Sequence, residues 1–216
     1  MCIVKYEAII LGRVFSKAGK ASGFKTAPQS AMTERLFLHA GFSDSCVGWA
    51  KNDTWAYEHI GTEPITDRLF SALRPCTDEI SWENTEVYLV NGPGSTLGIR
   101  TFCAFIRTLL VLKKLNPSQV FVCDALHFTQ LILTNRNLQQ PVCVRLNVTQ
   151  VLCLNSLKDT FHMPSETEQQ QAFWLPHPCL SKEVQLFRFE MKEILPLLSP
   201  QSPWATTDTP DVFQAN

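Results

Sequence analysis

Several glycines and a serine of this 216-residue chain lie in one short turn, between an apolar run and an amphipathic stretch. Glycine tolerates positive φ and lets another group approach the backbone closely. A helix that starts behind such a turn presents free N–H groups and partial positive charge, which suit an anion such as phosphate. A tight strand-to-helix corner that binds nothing explains the same residues. The candidate phosphate-binding residues are Gly92, Pro93, Gly94, Ser95, Gly98 and Arg100.

The elements on either side of this turn are a strand and a helix. Val87–Val90 is a short apolar run rich in β-branched residues, which is typical of a buried strand. Ser95 or Thr96 can cap the helix, and Lys113 and Lys114 lie where the helix dipole favours cations. Beyond the turn, apolar residues recur with the i, i+3, i+4, i+7 spacing of one helix face. They are Ile99, Phe102, Cys103, Ile106, Leu109 and Leu110.

The turn and the helix start resemble a known signature. Residues 92–95 read GPGS and residues 98–100 read GIR, which is similar to the GPGSFTGLR signature of the TsaB (YeaZ-like) family, with six of nine positions identical. Thr96 and Leu97 depart from it. The family belongs to the Gcp superfamily, once labelled glycoprotease. The resemblance covers residues 34–154 and is best around the turn.

The resemblance implies a fold and a role. The expected fold is α/β, of the actin-like ATPase (ribonuclease H-like) type, with a mixed sheet, helices and a reduced second lobe. Members of the family are cytoplasmic, non-catalytic partners of the TsaD enzyme, and together they install threonylcarbamoyladenosine next to the anticodon of tRNAs that read ANN codons. This chain would be a scaffold subunit without a cofactor, paired with a TsaD-like subunit or with itself. A TsaE-like ATPase would be a further partner, and tRNA would be met only indirectly.

Two helices carry the pairing in relatives, and they correspond here to residues 63–74 and 95–113. Phe105 lies outside the stripe that Phe102 and Ile106 define, so a second buried contact is expected for it. Cover by the chain's own second lobe is the alternative. The residues expected at the partner interface are Ile65, Leu69, Leu73, Phe102, Phe105, Ile106 and Leu109.

The first strand lacks the aspartate that holds metal and nucleotide in ATP-using relatives. Residues 39–41 read HAG in its place, and Asp44 comes later in the loop. His39 is interpreted as a hydrogen-bonded histidine at a strand end, with a ligand role as the alternative. The rival function is a degenerate ATPase or kinase-like enzyme, in which the glycine turn holds ATP or ADP and Asp44 holds the metal.

Composition and motif searches favour a globular, intracellular, non-catalytic protein. Hydrophobic residues make up 45% of the chain and charged residues 18%, while a net charge of −1 argues against a dedicated nucleic-acid binder. The eight cysteines form no CxxC pair, and no apolar run reaches the roughly 20 residues of a membrane span. The sequence contains no GxSxG, HExxH or Walker motif.

The remaining pattern suggests four parts: a basic extension 1–33, an N-terminal lobe 34–138, a reduced second lobe 139–198, and a flexible tail 199–216. The extension is interpreted as a start-site artefact or dispensable tail, with a targeting peptide or an ordered strand as alternatives. Further predicted elements are a meander of Leu36–Leu38, Cys46–Ala50 and Thr54–Tyr57, a strand Val120–Cys123, a helix Asp124–Thr134 capped by Asp124, a hairpin Pro141–Leu146 and Val148–Leu154, a long loop 155–180 with one helical turn, a strand Val184–Phe189, and a short helix Glu190–Leu198.

Overall fold

The computed structural model describes most of the chain between residues 34 and 206. The extension 1–33, the segment 62–70 with Ile65 and Leu69, and Asp44 lie outside the described residues, as does the tail after 206. The described ranges are 34–40, 45–61, 71–75, 78–92, 96–112, 114–147, 149–177, 180, 184–201 and 203–206.

Nine strands, numbered along the chain, form two sheets in the described residues. They are β1 (Glu34–Ala40), β2 (Ser45–Lys51), β3 (Thr54–Gly61), β4 (Thr85–Val90), β5 (Val120–Cys123), β6 (Val142–Arg145), β7 (Val151–Leu154), β8 (Phe173–Trp174) and β9 (Ala205–Thr206). The larger sheet has the order β3-β2-β1-β4-β5-β9, and the smaller has the order β7-β6-β8.

The larger sheet mixes antiparallel and parallel pairs. The strands β1, β2 and β3 form an antiparallel meander, whereas β1, β4 and β5 run parallel. Asn52 and Asp53 both have φ of 55° in the turn between β2 and β3, as a two-residue type I′ hairpin turn requires. The mixed α/β architecture that the sequence predicts is therefore confirmed, and so are the meander, the strand β5 and the hairpin of β6 and β7.

Five α-helical segments accompany the sheets in the described residues. They are α1 (71–75), α2 (Thr96–Val111), α3 (Ala125–Asn135), α4 (Glu166–Gln171) and α5 (Met191–Ile194). Ser165 and Glu168 form a capping box that starts α4, the helical turn expected within the long loop. A 3₁₀ turn at Leu195–Leu197 continues α5, in agreement with the short helix predicted there. Among the described residues, none of the helices is both long and apolar enough to cross a membrane.

The alternation of side chains along the strands gives the larger sheet two buried faces. One face carries Leu36 and Leu38 and packs with α1 and α2. The opposite face carries Phe37 and Tyr88 and packs with α3 and with the smaller sheet. Residues of both predicted lobes share this second core, among them Phe128, Ile132, Val142, Leu154, Phe187 and Ile194.

Two predictions for the C-terminal part need correction. Trp204, placed in the predicted flexible tail, is buried against Tyr88 with ring centroids 5.0 Å apart, and its indole N–H donates to the Leu197 carbonyl. Residues 205 and 206 then pair with β5 as the strand β9. The predicted strand Val184–Phe189 is reduced to one bridge, between Leu186 and Trp174, because only this point of the segment meets the smaller sheet.

Candidate functional site

The start of the glycine turn lies at the carboxyl edge of the parallel strands. The Asn91 N–H donates to the Cys123 carbonyl at 2.8 Å, and the Ala125 N–H donates to the Gly92 carbonyl at 2.5 Å. These bonds hold the chain leaving β4 against the start of α3. Gly92 has φ of 58°, a conformation that side-chain-bearing residues adopt only at a cost. The remainder of the turn, residues 93–95, lies outside the described residues.

The helix α2 begins immediately after this turn. The first N–H groups of an α-helix are not used by the helix's own hydrogen-bond ladder, and those of α2 follow directly after the turn. Gly98 is buried and Arg100 is exposed, so the two candidate phosphate-binding residues of the first helical turns have different surroundings. Binding of phosphate by the six candidate residues stays a prediction.

The next strand along the same edge ends in an aspartate–histidine pair. One Asp124 oxygen accepts from the Leu126 and His127 N–H groups at 3.0 Å, which caps α3 as predicted. The other oxygen lies 2.5 Å from His127 Nδ1. The ring of His127 in turn packs edge-on to Phe161, with centroids 5.2 Å apart. Both oxygens of this carboxylate are therefore already occupied by the protein.

A pocket of about 280 Å³ opens between these two features. Its polar side chains are those of Asn91, Asp124 and His127, and its apolar walls include Leu157 and Pro203. The Asp124 carboxylate would repel a phosphate group placed in this pocket unless a cation lay between them. No group of three potential metal ligands occurs in the part of the chain that the structure describes. The pocket is thus better suited to a neutral polar group than to a nucleotide phosphate.

His39 occupies the carboxyl end of β1, in register with Val90. It is only 9% exposed, and its Nδ1 has no hydrogen-bond partner among the described residues. Phe128 and Phe189 surround the ring, with centroids 5.9 and 5.5 Å from it. Burial lowers the pKa of His39 to about 4. The prediction that His39 is hydrogen-bonded is therefore wrong for Nδ1. Aromatic side chains from α3 and from the C-terminal segment cover the ring instead.

The predicted interface residues of α1 and α2 divide into covered and uncovered positions. Four of them, Leu73, Phe102, Ile106 and Leu109, are buried in the chain's own core, so their side chains are not on the surface that a partner meets. Phe105 is half-buried, and its ring lies edge-on to Trp82 at 6.1 Å.

The exposed apolar surface of α2 lies at its C-terminal end instead. Val111 is 79% exposed and Leu112, which follows the helix, is 62% exposed. Neither residue was among the predicted interface positions, which end at Leu109. Exposure at the end of a helix depends on where the chain turns away, which periodicity does not define.

Sequence reasoning also missed a cluster in the smaller sheet. Cys143 and Cys153 lie directly opposite each other in β6 and β7, and His162 forms a β-bridge with Cys153. His162 Nε2 lies 3.0 Å from Glu168 Oε1. Counting outward from the predicted turn, with Leu146 opposite Val148, would have placed Cys143 opposite Val151 instead of its observed partner Cys153.

The fold and this edge together define a mixed α/β protein in which a glycine turn and an Asp–His pair meet at the carboxyl ends of parallel strands. No protein-family model matches the chain, and no curated protein matches it either. Among solved structures, YeaZ from Pseudomonas aeruginosa matches with a TM-score of 0.47 and 15% sequence identity, over 62% of this chain and 65% of that chain.

A second structure, described as an uncharacterised protein with similarity to the peptidase YeaZ from Pseudomonas aeruginosa, matches with a TM-score of 0.48 and 15% identity. It too is covered over 65% of its length, so this chain spans just under two thirds of each of the two structures. Each likeness is one of fold alone.

Proposed function

We propose that this chain is a non-catalytic scaffold subunit in the synthesis of threonylcarbamoyladenosine on tRNA, acting beside a TsaD-like catalytic subunit in the cytoplasm. The strongest support for this proposal is that two features occur together at one edge of the larger sheet. The strand β4 leads into α2 through the signature turn, whereas the end of β1 carries His39 where ATP-using relatives carry an aspartate.

The surroundings of His39 explain why this edge is unsuited to ATP chemistry. A magnesium ion that accompanies ATP prefers oxygen ligands, above all carboxylates. His39 offers a neutral imidazole near pH 7, because its pKa is lowered to about 4 by burial, and its ring is enclosed by Phe128 and Phe189. The carboxylate of Asp124 is engaged in capping α3 and in bonding His127. The chain therefore needs no cofactor in this proposal.

The surface proposed for the partner is the exposed end of α2, defined by Val111 and Leu112. Both side chains are apolar and largely exposed, and because they are adjacent they form a small apolar patch of the kind that a partner surface can cover. Pairing through α2 agrees with the pairing that the turn resemblance implies. A TsaE-like ATPase would join the assembly at another surface, and contact with tRNA would be made through the catalytic subunit, in line with the net charge of −1.

Co-purification with the TsaD-like subunit of the same organism tests this proposal. Val111→Lys is expected to weaken binding at least about tenfold, since a charged amine would be left in an apolar interface. Lysine is chosen because a cation suits the C-terminal end of a helix, so the fold should be kept. Met163→Lys is the matched control. Met163 is 73% exposed, and it follows His162, which bridges to β7 of the smaller sheet and not to α2. Equal binding by both variants and the unchanged chain would contradict the proposed surface, and absence of any complex would contradict the proposed role.

A degenerate ATPase or kinase-like enzyme is the second candidate, and the glycine turn before α2, in which Gly92 has φ of 58°, is the observation that favours it. Isothermal titration with magnesium ATP separates the two candidates. The scaffold predicts no binding heat at micromolar protein, whereas the enzyme predicts tight binding that Asp44→Asn abolishes.

A further inference from the structure

The smaller sheet brings two thiols together across neighbouring strands. Cys143 in β6 is directly opposite Cys153 in β7. The Cys143 carbonyl accepts from the Leu175 N–H at 3.0 Å, and the Cys153 N–H donates to the His162 carbonyl at 2.9 Å. Both backbones therefore direct their hydrogen bonds away from each other, and the two cysteines form a non-hydrogen-bonded antiparallel pair.

This kind of pair has the spacing that a disulfide needs. The Cα atoms of a non-hydrogen-bonded antiparallel pair lie about 4.5 Å apart, and their side chains are closer than in the alternate pair. Disulfides span Cα distances of about 4.4–6.8 Å. Neither strand has to move far for the two sulfurs to bond. Both residues are thiols in this structure.

The two thiols are chemically unequal. The Cys153 S–H points to Asn155 Oδ1, with 3.7 Å between the sulfur and the oxygen. Interaction with the neighbouring Cys153 sulfur, and then burial, raise the pKa of the Cys143 thiol. Interaction with Cys143 is the main cause that lowers the pKa of Cys153, and the nearby His162 lowers it further. His162 is held by Glu168, which raises the pKa of this histidine. Cys153 is thus the sulfur that more readily becomes a thiolate, the reactive form.

We propose that Cys143 and Cys153 are a redox-active dithiol that hydrogen peroxide closes to a cross-strand disulfide. The Cys153 thiolate attacks one peroxide oxygen, the O–O bond breaks, and hydroxide leaves and takes up a proton to become water. Cys153 is then a sulfenic acid. The Cys143 sulfur attacks the Cys153 sulfur, the S–O bond breaks, and a second water leaves with the Cys143 proton. Two thiols have lost two electrons, and the peroxide has been reduced to two waters.

Peroxide can reach the two sulfurs because the hydrophobic cluster around Cys143 and Cys153 is small. The fully buried members of this core are Cys143, Cys153, Ala172 and Trp174. A cluster of this size opens locally at a lower cost than the main core. Peroxide, and small reagents such as dimedone, enter through such openings.

Peroxide treatment of the purified full-length chain, followed by alkylation of the remaining thiols and peptide mapping, tests the proposal. The expected result is a loss of two hydrogens in mass, with a linked pair of peptides that contain Cys143 and Cys153. In Cys143→Ser, the sulfenic acid is expected to persist on Cys153 and to be trapped there by dimedone. In Cys153→Ser, no dimedone adduct on Cys143 is expected.

The matched control is Cys123→Ser, which removes a buried thiol of the larger sheet and should leave the linked peptides unchanged. Full alkylation of both Cys143 and Cys153 after peroxide treatment of the folded chain would overturn the proposal. A linkage that appears only after unfolding in urea would do so as well. Peptide mapping of the unchanged chain tests the proposed disulfide even if a serine variant fails to fold.

Discussion

The buried His39 makes the stability of this fold depend on pH. Its pKa in the folded chain is lowered from 6.5 to about 4, because the ring is enclosed and its charged form would lose solvation. Between these values the unfolded chain binds a proton that the folded chain does not. The free energy of unfolding therefore rises with pH across this window and falls as the solution is acidified.

The size of this effect follows from the two pKa values. With 6.5 in the unfolded chain and about 4 in the folded chain, linkage predicts a loss of about 2 kcal/mol on going from pH 7.5 to pH 5, and about 3 kcal/mol by pH 4. His39→Leu removes the titrating group and the Nδ1 that lacks a partner. At pH 7.5 this variant should be at least as stable as the unchanged chain, since an unsatisfied buried nitrogen costs about 1–3 kcal/mol.

Urea unfolding at pH 7.5, 6, 5 and 4 measures the prediction. Carboxylates and other histidines also titrate in this range, so the quantity to compare is the difference between the variant and the unchanged chain at each pH. This difference should grow by about 2 kcal/mol from pH 7.5 to pH 5. Leu38→Val, which alters a buried side chain of β1 that does not titrate, should show no such growth. A constant difference for His39→Leu would refute the reasoning.

Two further predictions concern the start of the glycine turn and a buried amide side chain of α3. Gly92→Ala should cost about 1 kcal/mol in urea unfolding, because φ of 58° is unfavourable for a residue with a Cβ; an unchanged midpoint would contradict the strain assigned to this turn. Gln130→Leu should cost about 2 kcal/mol or more, because the Gln130 amide donates to the carbonyls of Gln140, Leu154 and Asn155, which would be left without this donor. A loss under about 0.5 kcal/mol would indicate that water replaces the amide.

The elements that sequence analysis predicted correctly have strong local signals. The strand β5 is a continuous apolar run, and Asp124 stands directly before an amphipathic stretch, where a capping residue is expected. The hairpin of β6 and β7 follows from two apolar runs with polar residues between them. In each case the local preference and the tertiary fold agree.

The elements that were missed depend on contacts between distant parts of the chain. The strand β9 is only two residues long, and it forms because it meets the edge of β5 while Trp204 is buried against Tyr88. Neither condition is visible in a local window of sequence.

The candidate site was predictable only in part. The glycine turn was located by its sequence, and its position at the sheet edge followed from the strand before it. The enclosure of His39 was not predictable, because Phe128 and Phe189 reach it from α3 and from a segment about 150 residues later. The pairing of Cys143 with Cys153 required the register of two strands, which one-residue errors in the predicted bounds would reverse.

Measuring the modified nucleosides of cellular tRNA tests the proposed role most directly. Cells that lack this chain should lose most of the threonylcarbamoyladenosine in tRNAs that read ANN codons, measured by mass spectrometry of digested tRNA. A copy carrying Val111→Lys should restore it poorly, while a copy carrying Met163→Lys should restore it fully. Unchanged levels of threonylcarbamoyladenosine in cells without the chain would contradict a scaffold role in this modification.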